Sequence, residues 1–180
     1  MVYIILGTGF EEIEAVAVCD ILQRGGVNAV FAAVGAERLI TGAHGIKVTA
    51  EKEIRDISPA GGDYIVIPGG MGGVNSIKSD AAAMELIKAS VEKGAKLAAI
   101  CAGPAVLAAL GLLEGKSITC YPGCEHMMAG AVCDASLSTS VDGTLVTGRA
   151  PGSAFDFGLA LLAAIAGEKT AEDVRRGLVC

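Results

Sequence analysis

Short, almost wholly apolar runs that end on glycine or proline alternate along this chain with longer segments of helical period, and that alternation admits few folds. Val2 to Leu6, Asn28 to Val34, Tyr64 to Ile67 and Lys96 to Ile100 read as strands, and runs without a polar face belong to a sheet covered on both sides. Between them, Glu11 to Arg24 carries Ile13, Val16, Ile21 and Leu22 on a helical stripe and stops at Gly25 and Gly26. A second helix is expected from Ser79, as N-cap, to Lys93, closed by Gly94,. Successive strand and helix units of this kind build a mostly parallel sheet with helices on both faces.

The remaining stretches fit the same plan. Arg38 to Thr41 and Ile46 to Ala50 form a small antiparallel excursion. Pro104 opens an Ala/Leu-rich helix ending near Gly111, Ser117 to Cys120 is a strand, and Asp142-Gly143 turns a hairpin between Leu137 to Val141 and Thr144 to Thr147,. Ser153 to Ala166 is the last long helix, and Thr170 is expected to cap a short terminal one. No linker, repeat or low-complexity segment interrupts residues 1–180, so one α/β domain is expected,.

Charge and cysteine usage narrow the function. Asp and Glu number 20 against 14 Lys and Arg, a net charge of -6, with no Trp and 4% aromatic residues. That balance repels a phosphate backbone and offers no stacking platform, so nucleic acid is not an expected partner. No apolar run reaches the ~18 residues of a membrane helix and no secretion signal opens the chain, so a cytoplasmic protein with no membrane partner is expected,. Six cysteines in a chain of 180 residues that is 52% hydrophobic are read as mainly reduced, buried thiols rather than a disulfide scaffold,. Cys120, Cys124, His126 and Cys133 have no zinc-knuckle spacing, and no metal site is assigned,.

In a parallel sheet the functional crevice lies at the carboxyl ends of the strands. Three turns should meet there: Gly7-Thr8-Gly9 leading to Glu11, Glu12 and Glu14; Pro68 to Gly73; and Ile100-Cys101-Ala102-Gly103. Cys101 stands at a strand-to-helix turn, where helix-start N–H groups favour a thiolate that attacks carbonyls and peroxides. On position alone it fits core filler and nucleophile equally; its company in the crevice favours the nucleophile. Gly69, Gly70 and Ala102 offer backbone N–H groups for an oxyanion. Gly7-Thr8-Gly9 does not complete a dinucleotide fingerprint, because its third position is Glu12,. Periodicity does not decide whether Glu14 faces the crevice; buried beside the sulfur, its carboxyl would be raised and able to shuttle protons. The two histidines, His44 and His126, read as surface residues.

Gly9 to Glu14 (GFEEIE), Asp63 to Gly70 (DYIVIPGG), Ala99 to Pro104 (AICAGP), and Pro151-Gly152 followed by Ser153 to Gly158 (SAFDFG) together resemble the ThiJ/PfpI superfamily, in particular its parkinsonism-associated deglycase (DJ-one-like) branch. The resemblance implies a flavodoxin-like three-layer sandwich with Cys101 on a nucleophile elbow, a homodimer, and a protonated Glu14 hydrogen-bonded to a reactive Cys101. It implies an oxyanion pocket from Gly70 and Ala102, and places Arg24, Arg149 and Pro151 at the border of the pocket or the dimer. Implied activities are cofactor-independent glyoxalase or deglycase action on 2-oxoaldehydes such as methylglyoxal or their glycated adducts. Alternatives are oxidative-stress sensing or chaperone behaviour without turnover, and an older name attaches the family to thiazole monophosphate biosynthesis. Many relatives carry histidine where this chain has Tyr121, a poor base at neutral pH with an ordinary pKa near ~10. That exchange argues against protease or amidase action and for lower glyoxalase turnover.

Overall fold

The computed structural model describes residues 1–180. Its elements, in chain order, are β1 (Val2–Leu6), α1 (Glu12–Arg24), β2 (Ala29–Ala33), β3 (Leu39–Thr41), β4 (Lys47–Thr49), β5 (Lys52–Glu53), β6 (Tyr64–Ile67), α2 (Met71–Ser79), α3 (Ala81–Glu92) and β7 (Lys96–Ile100). They continue with α4 (Pro104–Ala109), β8 (Ser117–Ile118), β9 (Val132–Cys133), β10 (Thr139–Asp142), β11 (Leu145–Gly148), α5 (Ala154–Ala166) and α6 (Glu168–Leu178).

Seven strands form the central sheet in the order β10-β11-β7-β6-β1-β2-β5, parallel throughout except where β10 pairs antiparallel with β11. The wholly buried residues of β6 and the buried runs of β1 and β7 explain their unbroken apolar sequences, because helices cover both faces,. α1 packs on α5 and α5 on α6, while α2 packs on α3 and α4. The expected antiparallel excursion is β3 with β4. No helix is long and apolar enough to cross a membrane.

Several local expectations are corrected. Pro68 to Gly73 is not loop up to Ser79: α2 begins at Met71 and includes Gly72 and Gly73. Glycine disfavours a helix interior by about 1 kcal/mol relative to alanine, which hid this helix. Tertiary approach explains the residues, since a Cβ on Gly73 would lie 2.8 Å from the Phe10 Cα and one on Gly72 3.0 Å from the Gly9 Cα. Ser79 is therefore the last residue of α2, and Asp80 caps α3 by accepting the Ala83 N–H at 2.9 Å. The strand expected over Ser117 to Cys120 stops at Ile118 and pairs with β9 in a separate two-stranded sheet. Thr119 is held instead by the Thr147 hydroxyl, which accepts its N–H at 3.0 Å. Thr170 lies inside α6 and bonds back to the Ala166 carbonyl; Gly167, at φ 89°, occupies the cap.

One glycine on β11 is fixed by packing alone. A Cβ on Gly148 would lie 2.8 Å from the Phe157 Cβ and 2.9 Å from Ile100 Cδ1. Gly148→Ala is expected to destabilise the fold by about 1–3 kcal/mol, the range of core overpacking, measured by urea denaturation; an unchanged midpoint would contradict the packing.

Candidate active site

Because β7, β6 and β1 are neighbours in one parallel sheet, the turns that leave their carboxyl ends converge, as the sequence predicts. The turn after β7 bears Cys101 at φ 65°, one of two non-glycine residues with positive φ. Left-handed backbone costs a side-chain-bearing residue about 1–2 kcal/mol, so the surroundings must impose it. They do so from both sides: the Cys101 N–H donates to the Gly148 carbonyl at 2.9 Å, the Tyr121 N–H donates to the Cys101 carbonyl at 3.0 Å, and the Gly103 N–H donates to Ile100 at 2.8 Å. α4, expected to reach Gly111, spans only Pro104–Ala109. Cys101 is 8% exposed.

Glu14 projects from the first turn of α1 and is fully buried. Its Oε2 accepts the Gly69 N–H at 2.6 Å, while Oε1 has no hydrogen-bond partner that meets ordinary geometry. Gly69 separates the two side chains: a Cβ there would stand 2.7 Å from Glu14 Oε2 and 2.9 Å from the Cys101 sulfur. Only a residue without a side chain lets carboxyl and thiol meet. The Glu11 N–H donates to the Gly69 carbonyl at 2.9 Å, tying the β6–α2 turn to the start of α1.

The electrostatics correct one expectation. Burial raises the Glu14 carboxyl from its ordinary 4.5 to about 7; the Gly69 N–H and Cys101 oppose the rise, and the charge of Glu11 adds to it,. Burial also pushes the Cys101 thiol upward, reinforced by the charge of Glu14 and by the hydrogen bond to it, while the Ala102 and Gly70 N–H groups pull it down. The turn therefore does not by itself hold an ionised sulfur. A thiol pushed upward thus stands, across Gly69, beside a carboxyl that burial raises to about 7.

The other expected site residues divide. Gly69, Gly70 and Ala102 all act on Glu14 or Cys101 through their N–H groups. Tyr121, 46% exposed, lines a groove of about 430 Å³ with Pro122, Arg149, Ala150, Gly152 and Ser153. Pro151 starts the 3-10 turn within that segment, so Tyr121, Arg149 and Pro151 lie next to the backbone that grips Cys101. Arg24 does not. It ends α1, about 15 Å from Glu14 at ~1.5 Å per helical residue, and is ion-paired with Asp20 at 2.6 Å.

Sequence reasoning missed the work of Glu12. Its Oε1 accepts the N–H groups of His44 at 2.8 Å and Ile46 at 3.3 Å, and its Oε2 meets His44 Nδ1 at 3.0 Å. Burial alone would raise Glu12, but these hydrogen bonds outweigh it and hold the carboxyl low, and Glu12 in turn raises His44. Glu12 thus clamps the β3–β4 loop to α1, and no spacing in the sequence announces a carboxylate that accepts N–H groups more than thirty positions away. Glu11, Glu12 and His44 are the one group whose potential ligand atoms converge within 4.8 Å, but the oxygens of Glu12 are already engaged. His126 Nδ1 faces the Gly123 carbonyl at 2.9 Å rather than the neighbouring cysteines.

Residues 1–164 match the profile of the DJ-1/PfpI family. The chain is 30% identical over 177 residues to Protein dj-1beta of Drosophila melanogaster, covering 98% of this chain and 95% of that protein. Over 162 residues it is 32% identical to Glutathione-independent glyoxalase DJR-1.2 of Caenorhabditis elegans, covering 89% of this chain and 86% of that protein. In three dimensions it superimposes on Toxoplasma gondii DJ-1, solved oxidized, with a TM-score of 0.91 and 31% identity, over 99% of this chain and 97% of the other.

Proposed function

Since the chain belongs to the DJ-1/PfpI family, we propose that it is a cofactor-independent cysteine enzyme of the glyoxalase or deglycase type. Its substrates are 2-oxoaldehydes such as methylglyoxal, or their glycated adducts. The observation that carries this reading is a thiol packed, with only Gly69 between, beside a buried carboxyl raised to about 7. A base that titrates near working pH has the best compromise between being deprotonated and holding a proton once taken. A relative that is named a glutathione-independent glyoxalase lends support.

The steps balance with this pair alone. Glu14 takes the Cys101 proton as the sulfur attacks the aldehyde carbon and passes it to the carbonyl oxygen, which gives a hemithioacetal and leaves Glu14 ionised. The N–H groups of Gly70 and Ala102, already turned toward the sulfur, stabilise charge on the oxygen formed beside it. Glu14 then removes the hydrogen on the sulfur-bearing carbon and returns a proton to the adjacent one, leaving a thioester of a hydroxy acid. Water hydrolyses the thioester and restores the thiol. On a glycated adduct the same attack ends in release of the amine or thiol that carried the sugar-like group.

Methylglyoxal incubated with the protein in D2O is expected to give lactate with deuterium on C2, read by NMR after subtraction of buffer-catalysed loss. The proton carried by Glu14 exchanges with solvent, whereas a direct hydride shift would leave C2 unlabelled. No lactate above buffer would overturn the enzymatic reading. A second reading, oxidation sensing at Cys101 without turnover, draws on the relative solved oxidized. It predicts selective addition of two oxygens at Cys101 after mild peroxide, with no lactate from fresh protein.

We propose further that Arg24 reaches a site only across a homodimer, because its place at the far end of α1 keeps it from the Glu14 of its own chain. α1 also exposes Ile13 and Val16, apolar side chains that a second copy would cover.

A further inference from the structure

The segment that holds the Cys101 carbonyl carries a pair of thiols. Cys120 leaves β8 and Cys133 ends β9; the two strands run parallel, with Ile118 opposite Cys133 and the Asp134 N–H donating to the Ile118 carbonyl at 2.9 Å. This register brings the Cys120 and Cys133 sulfurs to 3.3 Å. Both are free thiols. A disulfide has an S–S length near ~2.05 Å, so bond formation asks for a closure of little more than ~1 Å. Cys124 also lies near Cys120, but the sulfur contact recorded for Cys120 is with Cys133.

We infer that Cys120 and Cys133 are a modification site of their own, a dithiol that a hydroperoxide converts to a disulfide independently of Cys101. Exposure gives the order of events. Cys120 is fully buried and Cys133 partly exposed, so the reagent meets Cys133. The Cys133 sulfur is oxidised to a sulfenic acid while the peroxide O–O bond breaks, releasing water or an alcohol. The Cys120 sulfur then attacks it; the S–O bond breaks, the S–S bond forms, and the oxygen leaves as water with the remaining protons. A resolving thiol this close intercepts the sulfenic acid before it can proceed to the irreversible sulfinic stage.

The location gives the bond a consequence. Tyr121, next to Cys120, donates its N–H to the Cys101 carbonyl at 3.0 Å, and the Cys120 thiol itself bonds the Tyr121 carbonyl at 3.5 Å. A cross-link at Cys120 therefore anchors the strap that holds the candidate nucleophile in its left-handed conformation.

The test uses the Cys101→Ser protein, so that chemistry at Cys101 and failure of the proposed enzyme activity leave its outcome untouched. After mild hydrogen peroxide and blocking of free thiols, the intact protein should carry two blocking groups fewer than the untreated protein, and dithiothreitol should make those two positions available to a second round of blocking. Residues 117–148 contain no Lys or Arg, but cleavage after Glu125 separates Cys120 and Cys124 from Cys133. The two halves should stay joined until reduction. The join should persist in a Cys124→Ser background and be lost with Cys120→Ser. Cys133→Ser, at a partly exposed position, gives the same loss should the Cys120 variant fold poorly. Halves that separate without reduction, a join that needs Cys124, or accumulation of sulfinic acid at Cys133 beside an intact Cys120 would each overturn the inference.

Discussion

Cys101→Ser is expected to lower lactate formation from methylglyoxal by at least ~10³-fold, the order lost when a covalent nucleophile is removed from an enzyme that depends on it. The exchange is nearly isosteric, and the backbone bonds from Cys101 to Gly148 and from Tyr121 to Cys101 do not involve the side chain, so the fold should survive. The loss is chemical. A carboxyl that burial raises to about 7 can accept the proton of a thiol as the sulfur attacks, but a hydroxyl is a far weaker acid, so the same carboxyl cannot activate it to the same extent. Lactate measured on equal amounts of folded protein checks this. A variant that retains the parent rate would place the reaction elsewhere in the molecule.

Glu14→Gln is expected to act in opposite directions on rate and stability. Glutamine cannot take the thiol proton or carry one between adjacent carbons, so the rate should fall ~10²–10⁴-fold, the usual contribution of a positioned acid or base. Stability follows from the raised carboxyl. The folded chain binds this proton more tightly than the unfolded one, so the contribution is fully present below about pH 4.5 and is lost as pH rises through about 7,. Above that point the protein carries an ionised, fully buried carboxylate that glutamine does not. The variant should therefore gain on the parent as pH rises from 4.5 to 8, by about 3 kcal/mol at ~1.4 kcal/mol per unit. The Gly69 N–H can still donate to the amide oxygen. Urea denaturation at pH 5 and pH 8 checks it: a penalty equal at both values would mean that the residue is structural and not titrated in the fold.

The strands that carry the site were legible because parallel strands buried on both faces leave unbroken apolar runs, and Tyr64 to Ile67 and Lys96 to Ile100 are such runs. Once their order was read, the meeting of the Gly9, Pro68 and Cys101 turns followed from the architecture. The resemblance supplied the partnership of Glu14 with Cys101, which periodicity left open. What was not legible depends on tertiary contact. α2 was hidden by Gly72 and Gly73, whose reason is the close approach of Gly9 and Phe10. Cys120 was read into a strand because a β-branched run precedes it, whereas the Thr147 hydroxyl draws Thr119 away.

The surroundings of Cys101 were read incompletely for a similar reason. A strand-to-helix turn announces N–H groups that lower a thiol, but not that the sulfur is buried beside a carboxylate, and burial is the larger effect. Arg24 was placed at the border of the pocket or the dimer by family position, and α1 carries it away from the Glu14 of its own chain, which leaves the dimer. Glu12 looked like ordinary helix-start acidity until its oxygens were found on His44 and Ile46.

The transfer of the Cys101 proton to Glu14 can be followed through the alkylation rate of Cys101 by iodoacetamide as a function of pH, measured by peptide mass in the parent and in Glu14→Gln. The parent rate should rise with ionisation of the carboxyl near 7, because Glu14 accepts the thiol proton as the sulfur reacts, and Glu14→Gln should lose that step from the profile. Identical profiles in the two proteins, or a parent Cys101 that follows Cys180, would contradict the pairing on which the proposed chemistry depends.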